Sequence, residues 1–396
     1  MIDAKRVLVI GGNTRNLQKA KALGLEVLYI QKKELFKDFD LSHADHTLFV
    51  DYENSSVLLP MAKAIYESFP FEYVISFTET GLIPAAQVND ALGLPGNSLK
   101  TVNLLKDKWA MRQHLNAIGF SPVVAQVGWT QADLTAFAQN YGLPMIVKPV
   151  EGTGSFGVFM INELAEIERV WQQIQILSFS SFVMEEYLEG PEISVESFSF
   201  GGHHVIIGIT DKLTLSNFVE IGHSVPAQLD DALRSEVLST VTTFLNAVGI
   251  KEGPSHTEVK LTPKGLRILE SHNRVGGDKI NTLVEIAYGV DMISLAFAYP
   301  FGLTEALISS PLPRAGAAIR FFVSHPGIVR EISGLKDVQS HEKTVEVQLT
   351  VKVGSQTQSV CQSSDRLGYL ITKGADAREA VTTCEQLVQK VSIIVE

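Results

Sequence analysis

Two glutamates, Glu258 and Glu270, stand at positions that a tight hairpin would bring face to face. The segment 256–278 reads as two strands joined at Thr262-Pro263-Lys264-Gly265, where proline fixes φ for a turn and glycine permits φ > 0. With Pro263, Lys264 and Gly265 as the loop, Thr262 pairs with Leu266. Counting by twos then sets Lys260 opposite Ile268, Glu258 opposite Glu270 and His256 opposite His272. Carboxylates directly opposed on one face repel each other, so a cation is expected between them. Two carboxylates, with Asn273 and Arg274 close behind, suit Mg²⁺ holding a nucleotide phosphate. The simpler alternative is a solvated hairpin whose acids tolerate each other.

Residues 148–157 add a second chemical motif. Lys148 ends a strand, and Gly152, Gly154 and Gly157 follow in a loop with Ser155 and Phe156. Glycines let backbone N–H groups approach phosphate oxygens, Ser155 offers a hydroxyl, and the lysine supplies a point charge. A flexible hairpin is the alternative. In 184–192, backbone groups from Glu185 through Glu186 and Tyr187 to Leu188 could meet an adenine edge, and Glu192 could accept from ribose hydroxyls. Lys108 opens a helix and either points into a cleft or is solvated like most helical lysines. His256 and His272 are candidates to contact metal or substrate, whereas His203, His204 and His223 read as loop residues. Gly11-Gly12 lacks the G-x-G-x-x-G spacing of a dinucleotide cradle, so NAD is not expected.

The chain has 396 residues, enough for two or three domains, with an ordinary globular composition of 45% hydrophobic and 19% charged residues. A net charge of −11 without a basic stretch argues against nucleic acid as the main partner. Cys361 and Cys384 lack metal-ligand spacing, which fits a reducing compartment. The start of the chain, Met1-Ile2-Asp3-Ala4, lacks an apolar signal region, and the most apolar window, 283–301, is broken by Glu285 and Asp291. A cytoplasmic protein without membrane partners is expected.

The elements that position these residues follow from periodicity. Strands at 6–12 and 25–30 around a helix at 14–23 open a parallel sheet, and a helix from 61 to 69, a strand at 73–77 and a helix to 92 continue it. Single helices are expected over 101–119, 130–141, 163–173, 231–248, 282–299 and 377–391. Thr130 is a candidate N-cap with Asp133 three residues on. Strands are expected at 145–149, 158–161, 181–186, 192–199, 204–210 and 217–221, with a strand-rich pattern from 317 onward.

In this order the segments resemble the ATP-grasp superfamily. The run from Asp107-Lys108 through Met111-Arg112 to Pro122 is similar to the family's first ATP lysine and the passage into its lid. Lys148 matches the second ATP lysine, Gly152 to Gly157 the loop that folds over the phosphates, 185–188 the adenine hinge, and Glu192 the ribose carboxylate. Glu258 and Glu270 match the Mg²⁺ carboxylates, and Arg274 the arginine that holds an acyl phosphate. The family pattern puts asparagine two residues after the second metal glutamate. Here that place holds His272, with Asn273 one further on as the expected third ligand if a bulge turns it inward.

Within the superfamily, Phe77-Thr78-Glu79, the segment 220–227 with His223, Gly253 to Glu258, and Gly276-Gly277-Asp278 resemble the L-amino-acid (dipeptide) ligases. The resemblance implies a mixed α/β and α+β ATP-grasp fold. Residues 1–98 would form a Rossmann-like domain and 99–316 the core, with a lid at about 121–191. Residues 317–396 would complete the enzyme as a strand-rich C-terminal lobe. It further implies ATP with Mg²⁺ (Mn²⁺ possible), an acyl-phosphate mechanism releasing ADP and phosphate, substrate contacts by Glu79, His223, His256, His272 and Gly277, and a possible homodimer. The alternatives are a ligase of a one-carbon acid, bicarbonate or formate, and a nucleotide-binding protein without turnover.

Overall fold

The computed structural model describes residues 5–396. Met1 to Ala4, on which the expected lack of a leader rests, lie outside the described residues. The N-terminal part alternates β1 (Arg6–Ile10), α1 (Thr14–Ala22), β2 (Glu26–Gln31), β3 (His46–Phe49), α2 (Ser55–Ser68), β4 (Tyr73–Ile75) and α3 (Leu82–Leu92). Its four strands pair in parallel in the order β3-β2-β1-β4. Val7, Leu8, Val9 and Ile10 are fully buried, as a continuous apolar run covered on both faces requires.

Two helices follow, α4 (Leu99–Lys106) and α5 (Lys108–Ala117), where the sequence suggested one. Asp107 makes the difference. Its backbone is extended, and its Oδ1 accepts from Ala110 N–H at 2.9 Å, capping α5. The break leaves Lys108 at the start of a helix, with its own N–H donating to Val150 O.

A small antiparallel sheet comes next, from β5 (Ala125–Gly128), α6 (Gln131–Tyr141), β6 (Met145–Pro149), β7 (Phe159–Ile161), α7 (Ile167–Ile176) and β8 (Phe182–Glu186), with order β5-β8-β6-β7. Thr130 caps α6 and Asp133 reaches back to the Thr130 N–H, the expected capping box.

The centre of the molecule is one eight-stranded antiparallel sheet. β9 (Glu192–Phe200), β10 (His203–Thr214) and β11 (Glu220–Val225) precede α8 (Asp231–Val248), and β12 (Gly253–Thr262) and β13 (Gly265–His272) follow it. After α9 (Ile280–Tyr288) and α10 (Met292–Ala298) come β14 (Gly316–Phe322), β15 (Gly327–Ser333), α11 (Leu335–Gln339), β16 (Thr344–Leu349), β17 (Gln356–Thr357), β18 (Gly368–Gly374), α12 (Ala377–Val388) and β19 (Ser392–Val395). The sheet runs β13-β12-β9-β10-β11-β14-β18-β16, and β17-β15-β19 form a small separate sheet. C-terminal strands are thus hydrogen-bonded directly to the central ones. One apolar core joins Val7, Val9 and Tyr29 to Phe198, Ile207, Leu283, Phe297 and Ile319.

Three further expectations are corrected. The 282–299 helix is two helices bent by 87°, because Gly289 ends α9 at φ 70° and Asp291 Oδ1 caps α10. Among the described residues no single helix is long and apolar enough to cross a membrane; this bent pair passes by length and composition, and its apolar side chains lie in the core. His203, His204 and His223 belong to strands β10 and β11, not loops.

The hairpin turn is also tighter than expected. Thr262 pairs with Gly265, Leu261 with Leu266, Lys260 with Arg267 and Val259 with Ile268, while Glu258 still faces Glu270 and His256 still faces His272. The two registers are reconciled by a bulge that leaves Leu269 as an extra residue on β13. Thr262 Oγ1 holds the two-residue loop, accepting from Lys264 N–H and donating to Gly265 O.

Candidate functional site

Glu258 on β12 and Glu270 on β13 are opposed as the hairpin requires. The cations that quiet them come from elsewhere. Lys212 Nζ on β10 lies 2.7 Å from Glu258, 2.6 Å from Glu192 and 3.3 Å from Glu220. Lys108 Nζ lies 3.0 Å from Glu270 and donates to Gly152 O. Burial pushes the Glu258 carboxyl up, but Lys212 and His256 outweigh it and hold the group low. Lys108 and His272 do the same for Glu270. Burial disfavours the Lys212 ammonium, yet the three carboxylates keep its pKa well above the usual lysine value.

Lys212 was missed from the sequence because the strand candidate stopped at 210. β10 runs on to Thr214, and the alternation that buries Thr210 carries Lys212 to the same face. That continuation was the available signal.

The first cavity lies between the small sheet and the central one. Lys108, Lys148, the loop 152–156, Glu186, Tyr187, Leu188, Glu192 and the Glu258–Glu270 pair line it, and the bulge turns Leu269 to its wall. Lys148 Nζ is 2.6 Å from Glu185, whose other oxygen accepts from the fully buried Arg112 at 2.9 Å. Burial alone would raise the Glu185 carboxyl, but Lys148 and Arg112 hold it at about 2. The Glu185 side chain therefore fixes Lys148.

The hinge offers fewer free groups than the sequence suggested. Glu186 N–H donates to Val124 O and Tyr187 N–H to Pro144 O, leaving the Leu188 N–H without a partner among the described residues. The Ser155 hydroxyl, expected to face phosphate, donates to Phe218 O at 2.9 Å and ties the glycine loop to the turn before β11. Gly154 (φ 67°) and Gly157 (φ 68°) take the left-handed conformation that the loop requires.

A second cavity opens on the other side of the acid pair, and Thr153, Gly154, Glu220, Glu258 and Glu270 border both. Its wall carries Arg274, whose Nε is 2.8 Å from Glu79, and His272, whose ring nitrogens lie 3.2 Å from Glu79 and from Glu270. Burial pushes the Glu79 carboxyl up, but His272, Arg274 and Lys106 hold it far below the usual range. His256 Nδ1 is 2.6 Å from the buried Glu196. Burial disfavours the His256 cation, yet Glu196 and Glu258 push its pKa up to about 10.

His223 Nε2 is 3.2 Å from Asp278, and Arg366 grips both oxygens of Asp278 at 2.7 and 2.6 Å while stacking 3.6 Å over Phe321. Arg366 was not singled out from the sequence. It stands 88 residues beyond Asp278, and no local pattern marks it. Gly277 is exposed in the same wall, with open space where a Cβ would point.

Asn273 is not with the acids. It lines a separate small cavity with Tyr73, Ser76, Asn89 and Pro254, while His272 shares the face of Glu270. The bulge lies before Glu270, so alternation resumes there and turns residue 273 away. Asn273 is therefore withdrawn as a third ligand. Among the described residues no group of three or more His, Cys, Asp or Glu side chains is placed to hold a metal ion. Two carboxylates beside a cavity lined by Lys108, Lys148 and a glycine loop still fit Mg²⁺, which is commonly held by one or two carboxylates plus substrate phosphates.

Family models match three stretches: an ATP-grasp N-terminal domain over residues 17–96, an ATP-grasp domain over 141–282, and L-amino acid ligase C-terminal domain 2 over 320–396. The structure is similar to that of an L-amino acid ligase from Bacillus licheniformis, with TM-score 0.84 and 24% identity over 99% of both chains. In sequence it is 26% identical to alanine–anticapsin ligase of Bacillus amyloliquefaciens over 68% of this chain and 63% of that one. It is 25% identical to the L-arginine-specific L-amino acid ligase of Bacillus subtilis over 63% and 62%. The chain thus spans somewhat less than two thirds of these two relatives.

Proposed function

We propose that this chain, which belongs to the ATP-grasp superfamily, is an ATP-dependent carboxylate–amine ligase that joins amino acids and releases ADP and phosphate. One observation carries the reading: two cavities meet at Glu258 and Glu270, one lined by Lys108, Lys148 and the glycine loop, the other by Arg274 and Glu79. A nucleotide in the first and an acid in the second would present γ-phosphate to carboxylate across the acid pair.

In the proposed reaction a substrate carboxylate oxygen attacks the γ-phosphorus, forming an acyl phosphate as the bond to ADP breaks. The neutral amine nitrogen then attacks the acyl carbon, the acyl C–O bond breaks with its electron pair going to the leaving phosphate, and the amine's proton passes to that phosphate. Lys148, set by Glu185, and Lys108, at the head of α5, would neutralise the transferring phosphoryl group. Arg274, held by Glu79, would steady the acyl phosphate. The Leu188 N–H and Glu192 would meet adenine and ribose. Glu258 and Glu270 would hold Mg²⁺, with Mn²⁺ as its substitute, which supplies Lewis-acid neutralisation of the phosphates. Glu79 and His256 are poor bases for the amine, since His272, Arg274 and Lys106 hold the Glu79 carboxyl far below its usual range and Glu196 holds His256 protonated. The same reading places the reaction in the cytoplasm with no nucleic-acid partner.

The test is product identity with purified protein, Mg·ATP and pooled amino acids, with and without bicarbonate or formate. ADP, phosphate and a new dipeptide mass that require amino acids support the ligase. ADP that follows the one-carbon acid instead would transfer the assignment to that acid, and AMP with pyrophosphate would sink the acyl-phosphate route.

A further inference from the structure

The segment between β17 and β18 reaches back to the boundary of the two cavities. Ser363 N–H donates to Gly154 O at 3.4 Å, and its Oγ donates to Glu220 Oε2 at 3.3 Å. Gly154 and Glu220 border both cavities, and Ser363 lines the second. Asn217 Nδ2 donates to Val360 O at 2.8 Å from the same turn whose Phe218 O accepts from Ser155. The segment is braced from within, since Asp365 accepts from the N–H groups of Cys361 and Gln362 at 2.9 and 3.0 Å.

Arg366 ties this segment to the rest of the site. Its Nε donates to Ser363 O at 2.7 Å and its Nη1 to Glu220 O at 3.0 Å, while its fork grips Asp278 and its face stacks on Phe321. The side chain is 9% exposed. A planar guanidinium bonded on several sides holds its partners in one geometry, which a lysine at the same place does not. Arg366 itself borders neither cavity, so it reaches the site through Ser363 and Asp278.

We propose that Arg366 is a positioning residue for the ligase reaction: through Ser363 it sets the glycine loop of the nucleotide cavity, and through Asp278 the loop 276–278 of the second cavity. The inference rests on the ligase reading above and adds the C-terminal part of the chain to the working site. Phosphate and acid are then delivered in one register, and the junction between the cavities is closed to water. Loss of that register exposes the acyl phosphate. A water oxygen takes the amine's place at the acyl carbon, the acyl C–O bond breaks with its electron pair on the phosphate, a water proton follows, and the acid is returned unligated. ADP then outruns ligated product.

The experiment gives the full-length protein Mg·ATP and pooled amino acids, and counts ADP against ligated product beside the KM values. Wild type is expected to release close to one ADP per product. Arg366→Met and Ser363→Pro should raise that ratio well above one and raise the KM for ATP and for the acid together, each on the order of tenfold, about the size of one lost hydrogen bond. Arg366→Lys should fall between them and wild type, because it keeps the charge without the fork. Ser363→Pro guards against misfolding. Ser363 opens a short 3-10 turn and Gln362 before it is extended, at φ −155° and ψ 166°, so proline fits there and removes only the N–H and hydroxyl that meet Gly154 and Glu220. Variants that keep the wild-type ratio and KM values, or that lose kcat alone, overturn the positioning role while leaving the ligase standing. Absence of any ligated product from wild type counts against the ligase itself. Calorimetry of Mg·ATP binding to wild type and Ser363→Pro then decides the hold on the glycine loop: affinity weakened on the order of tenfold supports it, and equal affinity overturns it.

Discussion

Replacing Lys212 with methionine should be the most damaging single change in the site that leaves its shape almost intact. The Lys212 side chain is 2% exposed, and its ammonium touches three carboxylates, at 2.6 Å (Glu192), 2.7 Å (Glu258) and 3.3 Å (Glu220). At an effective dielectric of about 20, a unit pair at such separations is worth roughly 6 kcal/mol before desolvation is charged against it. Removing one partner of a buried pair costs about 3–5 kcal/mol net, because the remaining charge is stranded. We therefore expect Lys212→Met to lose about 3–5 kcal/mol at pH 8. The sign of the pH dependence follows from the stranded acids. Their folded pKa values rise above the unfolded ones, so the variant recovers as pH falls and they take up protons. The deficit should shrink toward pH 5.5 by at most about 1.4 kcal/mol per pH unit for each proton held. Equilibrium urea unfolding of both proteins at the two pH values measures this. Equal stability at pH 8, or a deficit that grows on acidification, would refute the assignment of Lys212 as the charge that balances the three acids.

Other perturbations separate the remaining roles. Arg274→Ala should cut turnover by orders of magnitude with the ATP dissociation constant largely kept, read by steady-state kinetics beside equilibrium binding; unchanged turnover removes Arg274 from the reaction. His256→Gln leaves Glu196 buried without its partner and should cost about 3–5 kcal/mol, most of which the double variant with Glu196→Gln recovers in urea unfolding. Because the His256 pKa is raised to about 10, its contribution is complete below the unfolded value near 6.5 and is lost as pH climbs through 10, so wild-type stability should fall over that window more steeply than the double variant's. Chelating divalent metal should weaken ATP binding to wild type, and that metal dependence should largely vanish in Glu258→Gln and Glu270→Gln, as titration calorimetry would show.

Local rules carried the sequence reading as far as period and capping reach. The period of two placed Glu258 opposite Glu270 and His256 opposite His272, and Thr130 with Asp133 announced the start of α6. The same count failed in the outer half of the hairpin, because the bulge at Leu269 shifts the register by one and nothing in the residue types announces it. The breaks at Asp107 and Asp291 could have been read, since both are acids that cap the helix they precede. Long-range ion pairs were beyond reach. Lys212 on β10 meets Glu258 on β12 across the intervening strand β9, and Arg366 reaches Asp278 from the C-terminal part. Such partners are fixed by strand order, which no stretch of local pattern encodes. His272 shows the converse: the family pattern wants an asparagine there, and simple alternation was the better guide to which residue faces the acids.

The charges of the site form a closed account before any ligand arrives. Glu258 and Glu270 are each met by a lysine, Glu185 by Lys148 and Arg112, and Glu79 by Arg274, Lys106 and His272. A triphosphate can take Lys108 or Lys148 only by drawing it off Glu270 or Glu185, which would leave Glu270 with His272 and Glu185 with Arg112 as the remaining partner. That exchange is unfavourable for a naked nucleotide, which adds negative charge and brings nothing for the acids. A nucleotide that carries a divalent cation into the gap between Glu258 and Glu270 would compensate these acids and free Lys108, which pairs with Glu270. The lysine that pairs with Glu270 would then be available to the phosphates. In the proposed reaction the facing acids of the hairpin would thereby make nucleotide binding depend on a divalent cation.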